Sequence, residues 1–238
     1  MKDCLAALIY FISAVSWSTA AAVSFIHPCL ASDPNLNQCI ENVIRSDGQR
    51  FADGIPEIGV TPLDPLKLDV ITLDSPSLKL VFSNTSVVGL RDFKLNYYKV
   101  SLSKGKAILD FTANVTLKGD YSMNGQILIL PIQGQGDAKI KITNLNINLR
   151  YDFKTKDGFW VVTDHTSTHK MERAQFKFSN LFNGNKHLGD STNKFLNDNW
   201  DSIMQELAPP AILQVIQKCI GEVTKLFSAV PVKELMKP

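Results

Sequence analysis

The stretch that organises this chain is Ser191–Phe227, STNKFLNDNWDSIMQELAPPAILQVIQKCIGEVTKLF, which has a sustained helical period. Its apolar residues recur at intervals of three and four, the spacing of an amphipathic helix. They are Leu196, Trp200, Ile203, Met204, Leu207, Ala211, Val215, Cys219, Ile220, Val223 and Phe227. Pro209 and Pro210 remove backbone donors, so we expect a kink or a break there, with Pro210 restarting the helix. The apolar stripe must be covered, and the preceding chain is predicted to cover it with a sheet.

Residues 1–22 have the features of a secretory signal peptide. Lys2 precedes a short apolar run, and the small residues that follow allow cleavage after Ala20 or Ala22. The run is too short for a comfortable membrane span, and an uncleaved anchor is the alternative. We therefore predict a secreted, extracellular protein whose mature part, 23–238, forms a single domain.

The composition is that of an ordinary globular domain. Of 238 residues, 45% are hydrophobic and 20% are charged, which is enough apolar material for one substantial core. The net charge is +2, and Lys and Arg are scattered among nearly as many Asp and Glu, so nothing favours a nucleic-acid partner. No low-complexity segment or Ser/Gly linker divides the chain, which again indicates one domain.

Three cysteines follow the predicted signal peptide. A secreted protein passes through an oxidising compartment, so Cys29 and Cys39 are expected to form a disulfide. Cys219 lies on the apolar stripe and is predicted to be a buried, inert thiol; a reactive thiol and an intermolecular bridge are the alternatives. Sequons at Asn84 and Asn114 predict glycosylation of a secreted chain.

The segment before the predicted sheet contains one short helix and a connector. Apolar residues from Leu36 to Ile44 have helical spacing, and we expect this helix to end by Gly48. Residues 51–66 then combine Pro and Gly with apolar residues, which indicates an ordered, non-helical connector lying on the core.

From Leu66 to about Leu181 the hydrophobic pattern has a period of two, typical of half-buried antiparallel strands. The alternation is clearest from Ala107 to Leu117. Three changes of parity predict β-bulges, which would curve the sheet. They fall near Thr143 and Asn144, between Val70 and Ile71, and between Leu95 and Tyr98.

Common catalytic and metal-binding motifs are missing from the sequence. There is no HExxH or comparable ligand spacing, no G-x-S-x-G elbow and no cysteine in a polar setting beside a histidine. His165 and His169 share one face of a predicted strand, but they lie in a polar run without a third ligand, which favours solvated side chains. We predict a protein that is not an enzyme and has no cofactor or metal. A hydrolase built from residues far apart in sequence is the alternative.

The predicted sheet and helix both have strongly apolar inner faces. A sheet rolled around a helix can enclose an elongated cavity. The same residues could equally form a filled core, because aromatic stripes are common in plain cores. The residues alone leave both alternatives open.

Several motifs resemble those of the takeout and juvenile hormone binding protein family of insects. They are Asp53-Gly54-Ile55-Pro56, Leu63-Asp64-Pro65-Leu66, NLFNGNKHLGD at 180–190, NKFLNDNW at 193–200 and VPVKEL at 230–235. The likeness covers essentially the whole mature chain. With a single expected disulfide, the chain resembles takeout-like members more than haemolymph juvenile hormone binders, which carry an additional one.

The resemblance implies an α+β fold, in which a highly curved, bulged antiparallel sheet wraps a long C-terminal helix. Bactericidal/permeability-increasing proteins have related lipid-binding domains. The resemblance to the takeout and juvenile hormone binding protein family also implies an internal tunnel for an extended hydrophobic ligand. This ligand would be a terpenoid such as juvenile hormone, a fatty acid or another lipid.

Such a protein would be a monomeric carrier in haemolymph or a chemosensory fluid. A protein that transfers lipid or signals at a membrane or receptor is the alternative. We expect the ligand to contact Phe82, Phe111, Val115, Tyr121, Met123, Ile127, Ile129, Leu149, Tyr151, Trp160, Phe176, Phe178, Trp200 and Met204.

Overall fold

The computed structural model describes residues 23–238, and the predicted signal peptide lies outside the described residues. Within this range the strands are β1 (Cys29–Leu30), β2 (Leu66–Asp74), β3 (Leu78–Val88), β4 (Lys94–Ser101), β5 (Lys106–Ile127), β6 (Leu130–Lys156), β7 (Phe159–Lys170), β8 (Arg173–Phe178) and β9 (Met236–Lys237). The helices are α1 (Leu36–Ala52), α2 (Lys186–Asp198), α3 (Trp200–Ala229) and α4 (Val232–Leu235).

The two longest strands, β5 and β6, form a hairpin on which the sheet is built. They pair along nearly their whole length, and each has an outer edge long enough for two further strands. Strands β4 and β3 pair with successive parts of β5, while β7 and β8 pair with successive parts of β6. Strand β2 extends the sheet from β3. All these pairs are antiparallel, which agrees with the predicted alternation.

Helix α3 closes the roll of the sheet. It packs against β2 at one edge and against β7 and β8 at the other. Its 30 residues span about 45 Å, so it can face the sheet along most of its length. The predicted α+β architecture, a curved antiparallel sheet wrapped around a long C-terminal helix, is confirmed.

The break predicted at Pro209 and Pro210 is wrong, because α3 runs through both prolines. The carbonyls left without helical donors belong to Gln205 and Glu206, and these residues are exposed, as are the prolines. Water can therefore replace the missing hydrogen bonds. The interruption lies at Asn199, whose φ of −109° and ψ of 24° separate α2 from α3.

Helix α1 also passes its predicted end at Gly48 and continues to Ala52. A Cβ atom on Gly48 would lie 2.8 Å from the ring of Phe93. The glycine therefore allows an aromatic ring to approach the helix closely, and it does not mark a helix end.

Helical side chains cover the exposed edges of the sheet. Asn193 and Asn197 of α2 each accept from the N–H and donate to the C=O of one β8 residue, all at 2.9 Å. Gln214 of α3 makes the same pair of bonds, at 3.2 and 3.0 Å, with a residue of β2. Asn37 and Glu41 of α1 accept from two N–H groups of β4. An open edge would invite pairing with another chain, so these side chains protect the sheet.

Two of the three predicted bulges are confirmed. Thr143 and Asn144 together oppose a single residue of β5, and Asn96 is an extra residue in β4. The third prediction is wrong, because β2 pairs with β3 without a shift. The shift lies on β3, between Ser83 and Ser86, against β5.

A small separate layer closes the end of the molecule that carries the N-terminus of the described chain. The predicted disulfide joins Cys29 to Cys39 and so ties β1 to α1. Strand β1 pairs in parallel with β9, which holds the C-terminus beside it. A second apolar cluster packs here, formed by Val23, Ile55, Val60, Leu226 and Val230.

Candidate ligand-binding cavity

An elongated cavity of about 490 Å³ lies between the sheet and α3. It extends from Leu73 and Ile127, near the β5–β6 turn, to Phe25 and Met236 at the disulfide end. Its volume is within the range of sites for small organic ligands. The structure therefore favours the hollow alternative over a filled core.

Ten of the fourteen residues predicted to contact a ligand line this cavity. They are Phe82, Phe111, Val115, Ile127, Leu149, Tyr151, Trp160, Phe176, Phe178 and Met204. They come from the inner faces of β3, β5, β6, β7, β8 and α3, so the roll brings together residues more than 100 positions apart. Their contact with a ligand stays a prediction.

The other four lie outside the cavity. Tyr121 donates its hydroxyl proton to the carbonyl of Ser179 at 2.6 Å, and Met123 is 2% exposed in the filled part of the core. Ile129 is 82% exposed at the β5–β6 turn, and the ring of Trp200 packs under the guanidinium of Arg173. The alternating pattern identified the inner face of the sheet. It did not show where the sheet and α3 are separated by the cavity and where they pack directly against each other.

The sequence interpretation missed the contribution of α1. This helix lies across the disulfide end of the roll, and its inner face forms a wall of the cavity. The lining residues from this region include Phe25, Ile40, Val43, Ile44, Asp47 and Phe51. The helical spacing of Ile40, Val43 and Ile44 was visible in the sequence, but the spacing does not show what the helix faces.

The stripe of α3 lines the cavity along most of the helix. Beyond Met204, the lining residues on this helix are Leu207, Ala208, Ala211, Ile212, Val215, Ile216, Cys219, Ile220, Val223, Leu226 and Phe227. The face that the sequence marked as apolar is therefore the floor of the cavity.

Two tyrosines provide polar groups in the apolar wall. The hydroxyl oxygens of Tyr98 and Tyr151 are 2.8 Å apart. Burial raises the pKa of both hydroxyls, that of Tyr98 well above its ordinary value, so both stay protonated at neutral pH. One hydroxyl donates to the other, and the second proton can be donated to an oxygen of a ligand.

Cys219 faces the cavity and is not enclosed in the core. It is half-buried, and no disulfide partner for it lies in the described part of the chain. Burial, with the nearby charge of Glu222, raises the pKa of its thiol to about 12. A thiol held protonated is a poor nucleophile, so the predicted inertness has a physical basis.

Besides the two tyrosines and Cys219, the titratable side chains of the described cavity wall are Asp47 and His27. Asp47 is mostly buried, whereas the side chain of His27 is 81% exposed. The Oδ2 atom of Asp47 lies 3.6 Å from Nδ1 of His27. Both residues lie at the disulfide end of the cavity, next to the start of the described chain.

The remaining predicted positions lie elsewhere. His165 and His169 are half-buried on β7, outside the cavity lining, and burial lowers the pKa of His169. Within residues 23–238, no cluster of three or more His, Cys, Asp or Glu side chains could hold a metal ion.

Asn84 and Asn114 are exposed, and their glycosylation stays a prediction. No helix among the described residues is long and apolar enough to cross a membrane.

A rolled sheet and a long helix that enclose an apolar cavity define a class of proteins that bind hydrophobic ligands. The family model for "Haemolymph juvenile hormone binding protein (JHBP)" matches residues 5–237 of this chain. The chain belongs to this family.

Individual relatives agree with the assignment. The circadian clock-controlled protein daywake of Drosophila yakuba is 27% identical over 244 residues, which cover 95% of this chain and 94% of the relative. The juvenile hormone-binding protein of Manduca sexta is 24% identical over 141 residues, 56% of this chain and 57% of the relative. The crystal structure of takeout 1 from Epiphyas postvittana matches with a TM-score of 0.83 and 30% identity, over 89% of this chain and 99% of that chain.

Proposed function

We propose that this protein is a secreted carrier that binds one extended hydrophobic molecule in its cavity and transports it through extracellular fluid. The observation that carries the proposal is the cavity of about 490 Å³ between α3 and the sheet. Its wall is built almost entirely from aliphatic and aromatic side chains. The predicted signal peptide and the Cys29–Cys39 disulfide support the extracellular location.

The expected affinity is moderate. Each buried CH₂ group contributes about 0.8 kcal/mol, so a terpenoid or fatty chain gains on the order of 10 kcal/mol. Association costs about 4 to 15 kcal/mol, which offsets much of this gain. The hydroxyl pair of Tyr98 and Tyr151 can add one hydrogen bond to a carbonyl, ester or ether oxygen. The Manduca sexta relative is named a juvenile hormone-binding protein, so a terpenoid ester is the first ligand class to test.

The proposal contains no catalytic step. Of the polar groups in the wall, the Cys219 thiol and both tyrosine hydroxyls are held in their protonated, weakly nucleophilic forms. The histidines of β7 lie outside the cavity lining. A carrier is therefore a better interpretation of these groups than a hydrolase.

The carrier function can be tested by ligand extraction and by filling the cavity. Protein purified from its native source is denatured and extracted, and the extract is analysed by mass spectrometry; we expect a hydrophobic molecule in about equimolar amount. In parallel, Ala211→Trp places an indole inside the cavity, whereas the matched control Leu213→Trp places it on the exposed face of the same helix.

We expect Ala211→Trp to weaken binding of a fluorescent apolar probe at least roughly 10-fold, because the ring occupies ligand volume. The control should bind like the wild type, and circular dichroism should show both variants folded. An empty extract together with equal probe binding by both variants would refute the carrier function.

Lipid exchange with a membrane is a second candidate, favoured by the apolar tip of the β5–β6 hairpin. Ile129 is 82% exposed there, next to Leu128, and the cavity extends to Ile127 just below. Ile129 continues a run of three apolar residues, Leu128 to Leu130, and a contiguous apolar patch at a loop tip can meet a lipid surface. Co-sedimentation with liposomes should be reduced by Ile129→Ser and not by Val70→Ser, a control on the exposed face of β2. If the wild type stays in the supernatant, this candidate fails.

A further inference from the structure

An acidic side chain stands in the wall of an otherwise apolar cavity. Asp47 of α1 lines the cavity among aromatic and aliphatic residues such as Phe25, Ile26 and Phe51. Its side chain is 15% exposed, and its Oδ2 atom has no hydrogen-bond donor among residues 23–238. A buried carboxylate without donors is costly, so its presence calls for a physical reason.

The helix does not supply that reason. Asp47 lies in the interior of α1, where Asp is a poor helix former and cannot cap the first turn. Glu41 on the same helix accepts the N–H of Tyr98 and so covers the edge of β4. Asp47 makes no comparable bond within the described part of the chain.

The neighbouring imidazole of His27 does not satisfy Asp47 either. Nδ1 of His27 is 3.6 Å from Oδ2, beyond hydrogen-bond distance, and the imidazole is 81% exposed, so water screens any charge that it carries. The guanidinium of Arg50 is engaged over the ring of Phe25 at 4.4 Å. The carboxylate can therefore accept a hydrogen bond from a group inside the cavity.

We propose that Asp47 binds the head group of the ligand and selects molecules that end in a hydrogen-bond donor, such as long-chain or terpenoid alcohols, over free fatty acids. This inference rests on the proposed function, because it assumes that the cavity holds an extended apolar chain. An ionised carboxylate only accepts hydrogen bonds, so it pairs with a hydroxyl and repels a second carboxylate. Repulsion between like charges is strong where little water separates them.

A matched pair of ligands tests the selectivity. Displacement of N-phenyl-1-naphthylamine is measured at pH 8 with 1-tetradecanol and with tetradecanoic acid, which differ only at the head group. The wild type is compared with Asp47→Asn and with the control Glu57→Gln, which removes the same charge from an exposed site away from the cavity. Equal affinity of all three proteins for the probe itself shows that the cavity is intact.

We expect the wild type to bind the alcohol at least roughly 10-fold more tightly than the acid, and Asp47→Asn to reduce this ratio to about threefold or less, mainly by improving binding of the acid. The control should keep the wild-type ratio. An unchanged ratio in Asp47→Asn, or a wild-type preference for the acid, would overturn the role of Asp47 while leaving the carrier function standing. If neither ligand displaces the probe from the wild type, the carrier function itself fails.

Discussion

Two acidic side chains on helices of this protein, Glu222 of α3 and Asp47 of α1, have opposite surroundings. Glu222 is 1% exposed and accepts from Nζ of Lys225 at 3.0 and 2.8 Å and from the N–H of Thr61 at 2.8 Å. Nζ of Lys218 lies 3.2 Å away. Asp47 has one oxygen without any donor in the described part of the molecule.

The difference in hydrogen bonding indicates different roles. The Glu222 carboxylate stabilises the fold, whereas the Asp47 carboxylate is available to a ligand. Glu222 ties the connector at Thr61 to α3, and every part of the contact comes from the protein. Asp47 lines the cavity, so a ligand held there can supply the missing hydrogen-bond donor. A third carboxylate, Asp110, resembles Glu222: it lies in β5, is 8% exposed and accepts from the amides of Asn96, Asn146 and Asn148.

The largest effect is expected from Glu222→Ala. Removing the carboxylate leaves the N–H of Thr61 and two ammonium groups without their acceptor, and losing one partner of a buried pair typically costs about 3 kcal/mol. Urea denaturation should show this decrease in the free energy of unfolding. Glu206→Ala, at an exposed position of the same helix, is the control and should change it by less than about 0.5 kcal/mol. A small effect at Glu222 would remove the contrast with Asp47.

The contribution of the Glu222 carboxylate to stability should also depend on pH. Burial alone would raise the pKa of Glu222, but hydrogen bonds from Lys225, Thr61 and Lys218 outweigh it and lower the pKa from 4.5 to about 2. The folded-state pKa is thus below the unfolded value, so the stabilisation is complete above the unfolded pKa and is lost as the pH falls towards 2.

Roughly 2 to 3 kcal/mol should disappear in this window. Denaturation curves recorded from pH 6 to pH 2 should therefore show wild type and Glu222→Gln converging as the pH falls. A constant difference between the two proteins across this range would contradict the assigned pKa.

Asp110→Ala should cost about 2 kcal/mol, because three side-chain amides lose a buried acceptor. Burial would raise the pKa of Asp110, but the hydrogen bonds from Asn148, Asn96 and Asn146 lower it. The thermal midpoint and the urea midpoint should both fall. Asp74→Ala, an exposed carboxylate at the end of β2, serves as the control and should leave both midpoints in place.

The smallest effect is expected from Asp47→Asn. Because Oδ2 has no donor within the described chain, removal of the charge should leave the free energy of unfolding unchanged or raise it by up to about 1 kcal/mol. The measurement is the same urea titration, performed without ligand. A loss as large as that of Glu222→Ala would show that Asp47 supports the fold, and the comparison between the two carboxylates would no longer hold.

Much of the fold follows from local patterns. The stripe of α3 and the alternation of β5 and β6 depend on backbone periodicity, which the order of residues expresses directly. The bulge at Thr143 and Asn144 was visible as a change of parity, and the Cys29–Cys39 pair followed from the secretory context. Because side chains alternate between the two faces of a strand, the period of two also placed Phe111, Leu149 and Phe176 correctly on the inner face of the sheet.

The residues that line the cavity were harder to predict from the sequence than the fold. Tyr121 and Met123 share the inner face with lining residues, yet they lie where the layers pack closely. Ile129 continued the pattern of β5 but fell on the turn, where a strand no longer has an inner face. Asp47 gave no signal, because its place in the cavity wall depends on how α1 packs against the rest of the fold.

The sequence by itself determined which residues face inwards, the long helix, the curvature of the sheet and the family. The hydrophobic period of a helix or strand repeats every two to four residues, so it can be recognised in the sequence without knowledge of the tertiary structure. Only the tertiary structure decided that α1 closes the end of the roll, that α3 continues through Pro209 and Pro210, and how far the cavity extends. These features depend on distances between layers and on exposure to water, which are properties of the assembled fold.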